Sequence, residues 1–194
     1  MKRPGLRPET GGEAAARAAE IDLDAVYREH AETVARWVRR LGGPWVDGED
    51  AVHEVFLVAQ RQLGEFRGEA RVTTWLYRIA ERVALHQRRR ARLRRWLGRD
   101  RHEEMAGATA GRPRLTPVEE LERREQAATV YRVLDRLPDR YRTVLVLFEL
   151  ERASGEEISE LTSTRLPTVW VRLHRARALF LAQLQRLERA GRIA

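Results

Sequence analysis

Residues 154–177, SGEEISELTSTRLPTVWVRLHRAR, contain two helix starts separated by a turn. Ser154 and Glu157 match a capping box, in which each side chain satisfies a free backbone N–H group at the start of a helix. The short helix carries Ile158 inward, and a longer helix begins near Pro167. A short helix, a tight turn and a longer helix form the helix-turn-helix pattern. The stretch therefore predicts a small helical domain.

The chain before this stretch shows the same helical spacing. Apolar residues recur at intervals of three and four over residues 22–41, 47–63 and 73–96, as on the buried face of an amphipathic helix. The pair Gly42-Gly43 followed by Pro44 ends the first helix, and Asp47 is suited to cap the second. No run alternates apolar and polar residues as a strand does. We therefore predict an all-α fold.

The helical periodicity stops between residues 98 and 115, where glycine, proline, small and charged residues dominate. A new helix start follows, with Thr116 as cap and Pro117 at the first helical position. This break predicts two small helical domains joined by a flexible linker. The expected parts are a tail of residues 1–20, a first domain of residues 21–97, a linker of residues 98–115, a second domain of residues 116–187 and a tail of residues 188–194.

The composition narrows the class of partner. The 194 residues include 37 Lys plus Arg against 29 Asp plus Glu, a net charge of +8, and Lys2 is the only lysine. A basic surplus of this size points to a polyanion such as nucleic acid. The chain has no cysteine, which excludes disulfides, cysteine zinc sites and thiol nucleophiles. No apolar run is long enough to span a membrane and the first 20 residues lack a signal core, so we expect a cytoplasmic protein.

Charge is segregated along the chain. Residues 47–69 hold six acidic residues and two arginines, whereas residues 71–101 hold eleven arginines and two acidic residues. Arginines as dense as those of residues 88–95 repel one another on a free helix, and phosphate groups would relieve that repulsion. A GC-rich coding bias on solvated faces is the simpler alternative, but it does not explain why the preceding helix is acidic. Leu93 and Trp96 within the basic run fit plain packing better than base stacking.

Four ordered segments resemble the extracytoplasmic-function (ECF) sigma factors, group IV of the main bacterial sigma family. Residues 46–60, VDGEDAVHEVFLVAQ, are similar to the helix that binds core RNA polymerase, and residues 73–80, TTWLYRIA, to the promoter-reading helix. Residues 133–147, VLDRLPDRYRTVLVL, resemble the opening of region 4, and residues 168–177, TVWVRLHRAR, resemble its recognition helix. The resemblance implies that the two domains are sigma regions 2 and 4.

The resemblance also implies which residues do what. On the acidic helix, the residues expected to dock on the clamp coiled coil of the polymerase are Asp47, Asp50, His53, Glu54, Leu57 and Gln60. The residues expected to meet the −10 element are Phe66, Arg67, Arg71, Arg78, Arg82, His86, Arg88, Arg89 and Arg90. The residues expected to meet the −35 element are Arg165, Thr168, Arg172 and Arg175. Further partners implied are the polymerase flap and, in some members, an anti-sigma factor.

The chain departs from the family pattern at several of these positions. Arg82 and His86 stand where the family commonly has asparagine and aspartate, and Thr162 and Ser163 replace the usual leucine and glycine of the turn. The family pattern also differs at Pro167, Trp170 and Val171. The sequence therefore predicts neither the DNA sequence that is recognised nor where the recognition helix begins. For Phe66 the sequence leaves two alternatives, base capture or packing under its loop. We expect Trp75 and Trp170 to pack.

These observations predict a transcription initiation factor that directs core polymerase to −10 and −35 elements and assists melting. The alternatives are a stand-alone helix-turn-helix regulator and a basic nucleic-acid-binding protein without sequence preference. The five histidines lie on different elements without ligand spacing, and no phosphate loop, nucleophile elbow or pair of catalytic carboxylates stands out. We therefore expect no metal, no cofactor and no enzymatic activity.

Overall fold

The structure is a computed structural model that describes residues 22–66, 68, 70–97 and 116–191. The described residues form seven α-helices. In chain order they are α1 (Leu23–Gly42), α2 (Gly48–Gln62), α3 (Val72–Trp96), α4 (Pro117–Leu134), α5 (Asp139–Leu145), α6 (Gly155–Thr162) and α7 (Leu166–Arg189). A 3-10 turn (Leu63–Glu65) follows α2, and a π-helical segment (Val146–Leu150) extends α5. The described ranges contain no strand, so the predicted all-α class is confirmed.

Helix starts follow the local sequence signals. The Asp22 side chain accepts a hydrogen bond from the Asp24 backbone N–H at 3.0 Å, and Asp47 caps α2 in the same way. At α6 the predicted capping box is complete, because Ser154 and Glu157 each accept from the backbone N–H of the other at 3.1 and 2.7 Å. The capping box predicted at residues 116–119 involves side chains outside the described set, and the predicted linker and the amino-terminal tail also lie outside it. The predicted carboxyl-terminal tail begins too early, because α7 continues to Arg189 and residues 190–191 follow it.

The first three helices pack on one another around a small apolar core. Val38 of α1, Val55 of α2 and Leu76 of α3 are fully buried in it. Trp37 meets the ring of Tyr77 edge to face, with 5.2 Å between the ring centroids. This helical unit holds α2 with its acidic side outward and α3 with its basic side outward.

The later helices form the second unit. Val144 of α5, Ile158 of α6 and both Val169 and Leu173 of α7 are buried, and they bring the short helix, the turn and the long helix together as predicted. None of the helices within the described ranges is long and apolar enough to cross a membrane.

The two units lie in contact, which the sequence did not predict. Their buried apolar residues form one continuous cluster. Tyr131 of α4 lies against Gly43, and its hydroxyl donates to the Arg40 carbonyl oxygen at 3.3 Å. The fully buried guanidinium of Arg142 donates to the carbonyl oxygen of Leu41. Backbone acceptors at the end of α1 are therefore satisfied by side chains of the second unit.

Candidate polymerase and nucleic-acid interfaces

One side of α2 carries most of the residues predicted to bind polymerase. Ala51, Val55 and Ala59 are buried, so the opposite side of the helix faces solvent. The exposed members are Asp47, Asp50, His53, Leu57 and Gln60. Leu57 is 43% exposed, which is unusual for a large aliphatic side chain surrounded by polar ones.

Glu54 is placed differently from the other members of this face. It is half-buried and accepts a hydrogen bond of 2.6 Å from the side-chain amide of Gln87 on α3. Glu54, predicted to dock on polymerase with its exposed neighbours, is therefore only partly accessible. The carboxylate joins α2 to α3, and sequence spacing alone does not reveal this contact because Gln87 lies 33 positions away.

The loop after α2 follows the packing alternative for Phe66. The ring is 8% exposed and lies tilted against Trp75, with 5.0 Å between the centroids. Trp75 itself is half-buried against the core, as predicted. Arg67, the neighbouring candidate, lies outside the described residues.

An exposed basic strip follows α3. Its members lie one helical turn apart or next to one another, and Arg71 precedes them at the start of the helix. They are Arg71, Arg78, Arg82, His86, Arg89 and Arg90, all exposed or half-buried. A row of exposed basic side chains of this kind is compatible with contacts to phosphate groups.

Two members of this strip already have partners in the second unit. Arg71 lies 3.4 Å from a carboxylate oxygen of Glu160, and Arg78 donates to the Ser163 hydroxyl. Both partners belong to α6 or the turn that follows it. The amino-terminal part of α3 therefore lies beside the helix-turn-helix, although Arg71 and Arg78 both remain exposed to solvent.

Arg88 does not belong to the exposed strip. It points to another side of α3, is 4% exposed, and lies between the carboxylates of Asp135 and Asp139. Its guanidinium is 3.1 Å from Asp135, and it also donates to Asp139. In this structure Arg88 cannot reach DNA, so contact with the −10 element stays a prediction that requires the two units to separate.

The first half of α7 presents the residues predicted for the −35 element. Arg165, Thr168 and Arg175 are exposed on one side, opposite the buried Val169 and Leu173. Arg172 lies on the same side but is half-buried, because it donates to the Thr164 hydroxyl at 3.0 Å. Arg175 also lies close to Tyr141, and together with Arg140 it lowers the pKa of the Tyr141 hydroxyl.

The unusual residues of the turn are accommodated. Ser163 adopts a left-handed conformation with φ of 49°, the conformation that favours the glycine usual at this position. Thr162 closes the end of α6 by donating to the Ile158 carbonyl oxygen at 2.6 Å, and Pro167 lies in the first turn of α7, where proline is tolerated. The helix-turn-helix therefore forms with Thr162, Ser163 and Pro167 in place of the usual residues.

Trp170 packs as predicted. Its ring meets Phe148 edge to face at 5.8 Å between centroids and covers Gly155. It is nevertheless 44% exposed, so part of the indole stays accessible to solvent.

A group of charged residues lies between the two units, and the sequence did not predict it. The Asp135 carboxylate lies 3.1 Å from the guanidinium of Arg88, 3.5 Å from that of Arg95 and 3.9 Å from that of Arg142. The Asp139 carboxylate forms ion pairs with Arg88 and Arg89. Partial burial raises the pKa of Asp139, but the hydrogen bond from Arg89 and the positive charges nearby lower it further, so its net shift is downward.

Two further buried groups lie at the same contact. Burial, together with the like charge of Arg88, lowers the pKa of Arg142 to about 10. Burial also raises the pKa of Glu81 on α3, although a hydrogen bond of 3.0 Å from the Thr143 hydroxyl opposes that rise. No local pattern marks these residues, because each acquires its partner only through contact between the two units.

Comparison with known proteins identifies the family. The description Sigma-70 region 2 matches residues 26–94, and Sigma-70, region 4 matches residues 127–180. The RNA polymerase sigma-H factor of Pseudomonas aeruginosa is 37% identical over 147 residues, which cover 74% of this chain and 76% of that protein. This chain belongs to the sigma-70 family. The ECF RNA polymerase sigma-E factor of Haemophilus influenzae is 35% identical over 145 residues, covering 73% of this chain and 76% of that protein, and supports the ECF class.

Solved structures share the fold of this sigma factor. CnrH in complex with the cytosolic domain of CnrY has a TM-score of 0.55 at 24% identity, and the match covers 91% of this chain and 98% of that chain. The sigma factor RpoE of Bartonella quintana, solved with the anti-sigma factor NepR, has a TM-score of 0.53 at 18% identity, with 84% and 97% covered. The family match favours a sigma factor over a stand-alone helix-turn-helix regulator.

Proposed function

We propose that this sigma factor binds core RNA polymerase through the outer side of α2, and reads the −10 element with α3 and the −35 element with α7. The observation that carries the proposal is the order of surfaces: an acidic and partly apolar side of α2 beside the basic strip of α3, with a helix-turn-helix after them. The polymerase supplies the catalysis, and the sigma factor supplies recognition.

The α2 surface suits a protein partner. Exposed Leu57 lies among Asp50, His53 and Gln60, so an apolar contact is surrounded by polar groups that fix orientation. Interfaces commonly place an apolar centre inside a polar rim. Acidic residues on this side favour a basic partner surface, and we propose the clamp coiled coil, which the resemblance implies, as that surface.

The α3 and α7 surfaces suit two different kinds of DNA contact. Arg82, His86, Arg89 and Arg90 follow one side of α3, as expected for contacts with phosphates of a melted strand. Arg172 and Arg175 lie on the outer side of a recognition helix, where arginine reads guanine edges in the major groove.

We place this sigma factor in the cytoplasm, where core polymerase and promoter DNA are found. The related structures were solved with CnrY and with the anti-sigma factor NepR, so an anti-sigma partner is also proposed for this chain.

The test is promoter-dependent transcription with purified core polymerase, combined with a binding assay to the same core enzyme. Asp50→Arg reverses the charge of an exposed residue on the proposed docking side, and its effect on stability should stay within about 0.5 kcal/mol. Charge reversal at a complementary interface weakens binding by several kcal/mol, so we expect affinity for core polymerase to fall at least tenfold.

The matched control is Glu32→Arg on α1, which makes the same charge change at another exposed position. Circular dichroism verifies that both variants keep their helices. Equal affinity of the two folded variants for core polymerase would refute the docking assignment. Transcription without promoter preference would refute the sigma-factor proposal as a whole.

A further inference from the structure

The outer side of α7 carries an apolar side chain among polar ones. Val171, Arg172 and Arg175 follow Thr168 by three, four and seven residues, so all four lie in one row along the helix. Val171 is 49% exposed, whereas Val169 on the opposite side is fully buried. The row therefore presents the two γ-methyl groups of Val171 outward, beside the arginines proposed to read the −35 element.

Packing within the chain does not account for the position of Val171. Three other exposed apolar residues of the second unit have apolar neighbours, because Trp170 packs on Phe148 and because Val130 and Leu181 line an apolar groove between α4, α5 and α7. Val171 lies outside the apolar core that the described residues form. A branched side chain is also less favourable on a helix than most alternatives. Within the described residues, the fold itself therefore gives no reason for valine at this position.

The major groove of DNA offers an exposed methyl group a counterpart on one base. Thymine carries a C5-methyl group on that edge, and apolar side chains contact it, whereas guanine presents two acceptors that suit arginine. A valine side chain has no donor or acceptor, so it adds nothing to the reading of the polar groups on the other bases. Contact between the two sets of methyl groups removes apolar surface from water. Valine on the outer side of a recognition helix therefore favours thymine.

The spacing along α7 limits where that thymine can lie. Val171 and Arg175 are one helical turn apart, which is about 6 Å along the axis at about 1.5 Å per residue. Successive base pairs of B-DNA are about 3.4 Å apart. A thymine that meets Val171 and a guanine that meets Arg175 should therefore lie within about two base pairs of each other.

We propose that Val171 determines part of the sequence specificity of this sigma factor. Its γ-methyl groups contact the C5-methyl group of a thymine in the −35 element, within two base pairs of the guanine that Arg175 reads. The inference rests on the proposed reading of the −35 element by α7. It goes further because it names a base that no arginine of the row would select.

The methyl group of thymine can be removed without changing any hydrogen-bonding group of the base. The preferred −35 element is first selected with the holoenzyme from promoter duplexes randomised at that element. Deoxyuridine then replaces each thymine of the selected element in turn, on either strand. At one position we expect the affinity of the holoenzyme to fall about fourfold, as for the loss of one buried methyl group. In a duplex with cytosine at that position, 5-methylcytosine should raise the affinity by a similar factor.

Variants of the sigma factor then assign the effect to a residue. Val171→Ser removes both γ-methyl groups from an exposed position, so the thymine and deoxyuridine duplexes should bind its holoenzyme equally well. Val171→Ile keeps a branched apolar side chain and should retain the difference. The matched control is Leu181→Ser, which makes an apolar-to-serine change at another exposed position of α7 and should also retain it. Circular dichroism verifies that each variant keeps its helices, and the deoxyuridine measurement on the unmodified holoenzyme needs no variant.

The outcomes separate this inference from the proposed function. A selected element without thymine, or equal affinity for thymine and deoxyuridine at every position, would overturn the role of Val171 and leave the −35 assignment of α7 intact. A methyl effect that persists in Val171→Ser would overturn it too, because another residue would then make the contact. The same holds if the thymine lies far from the guanine whose preference Arg175→Ala relaxes. A holoenzyme without any −35 preference would instead contradict the proposed function of α7, and the inference with it.

Discussion

Gly155 is packed so closely against Trp170 that a side chain at this position would clash with the indole ring. An added Cβ would stand 2.4 Å from Cζ2 of Trp170, whose ring also packs on Phe148. We predict that Gly155→Ala lowers the free energy of unfolding by about 1–3 kcal/mol, the usual effect of overpacking. Urea unfolding followed by circular dichroism measures it, and tryptophan fluorescence should change as the indole is displaced.

The control for this prediction is Gly64→Ala, because a Cβ at Gly64 meets nothing within 4 Å. Its stability should stay equal or rise slightly. Trp170→Leu should then restore most of the stability lost in Gly155→Ala, since it removes the ring that the methyl group displaces. Additive losses in the double variant would show that Trp170 is not the cause.

At the scale of elements, α3 and α7 are both basic but have different surroundings. Arg90 is exposed on α3 and continues the strip suited to phosphate, whereas Arg175 is exposed on the outer side of the recognition helix. The two helices should therefore affect DNA binding in different ways.

We predict that Arg175→Ala relaxes sequence preference at the −35 element by about 1–3 kcal/mol, as expected for an arginine that reads a base edge. Arg90→Ala should weaken binding to all promoters alike and lower the salt slope by about one, as expected for a phosphate contact. Holoenzyme binding to a promoter panel at several salt concentrations separates the two effects.

Arg186→Ala provides the control on α7, because Arg186 is exposed in the last turn, far along the helix from Arg175. It should leave sequence preference unchanged. A change of preference in Arg90→Ala, with none in Arg175→Ala, would reverse the assignment of the two helices.

At the scale of the whole molecule, Glu81 makes stability depend on pH. Glu81 lies on α3 and accepts from Thr143 on α5, so its carboxylate is buried by contact between the two units. Burial raises its pKa, although the Thr143 hydrogen bond acts in the opposite direction. The pKa of the Glu81 carboxyl group is therefore higher in the folded chain than in the unfolded chain, so ionisation of this group lowers the free energy of unfolding. This lowering disappears as the pH falls through the folded pKa, and it is gone below the unfolded pKa.

We predict that Glu81→Gln is more stable than the unmodified chain at pH 8, and that the difference shrinks towards pH 4, where both side chains are neutral. Urea unfolding at several pH values measures it. Glu32→Gln, at an exposed position of α1, should show no such trend. A gain in stability that stayed constant or grew at low pH would contradict the role of the buried carboxylate.

Much of the architecture could be predicted from the sequence because it depends on neighbours along the chain. The caps at Asp22, Asp47 and Ser154 act over two or three residues. The apolar spacing decides which side of each helix is buried, and so it correctly predicted Asp50, Leu57 and Arg175 as exposed. The family itself was recognisable from four short segments for the same reason.

Other features were decided only by the tertiary structure. Arg88 looked like its exposed neighbours in the basic run, yet it is buried against Asp135 and Asp139, 47 and 51 positions away. Glu54 binds Gln87, and Phe66 packs against Trp75. Charge and hydropathy patterns report a side chain's nature and its side of the helix. They carry no information on which distant surface covers that side, because this depends on how two helical units, each complete in its local signals, pack against each other.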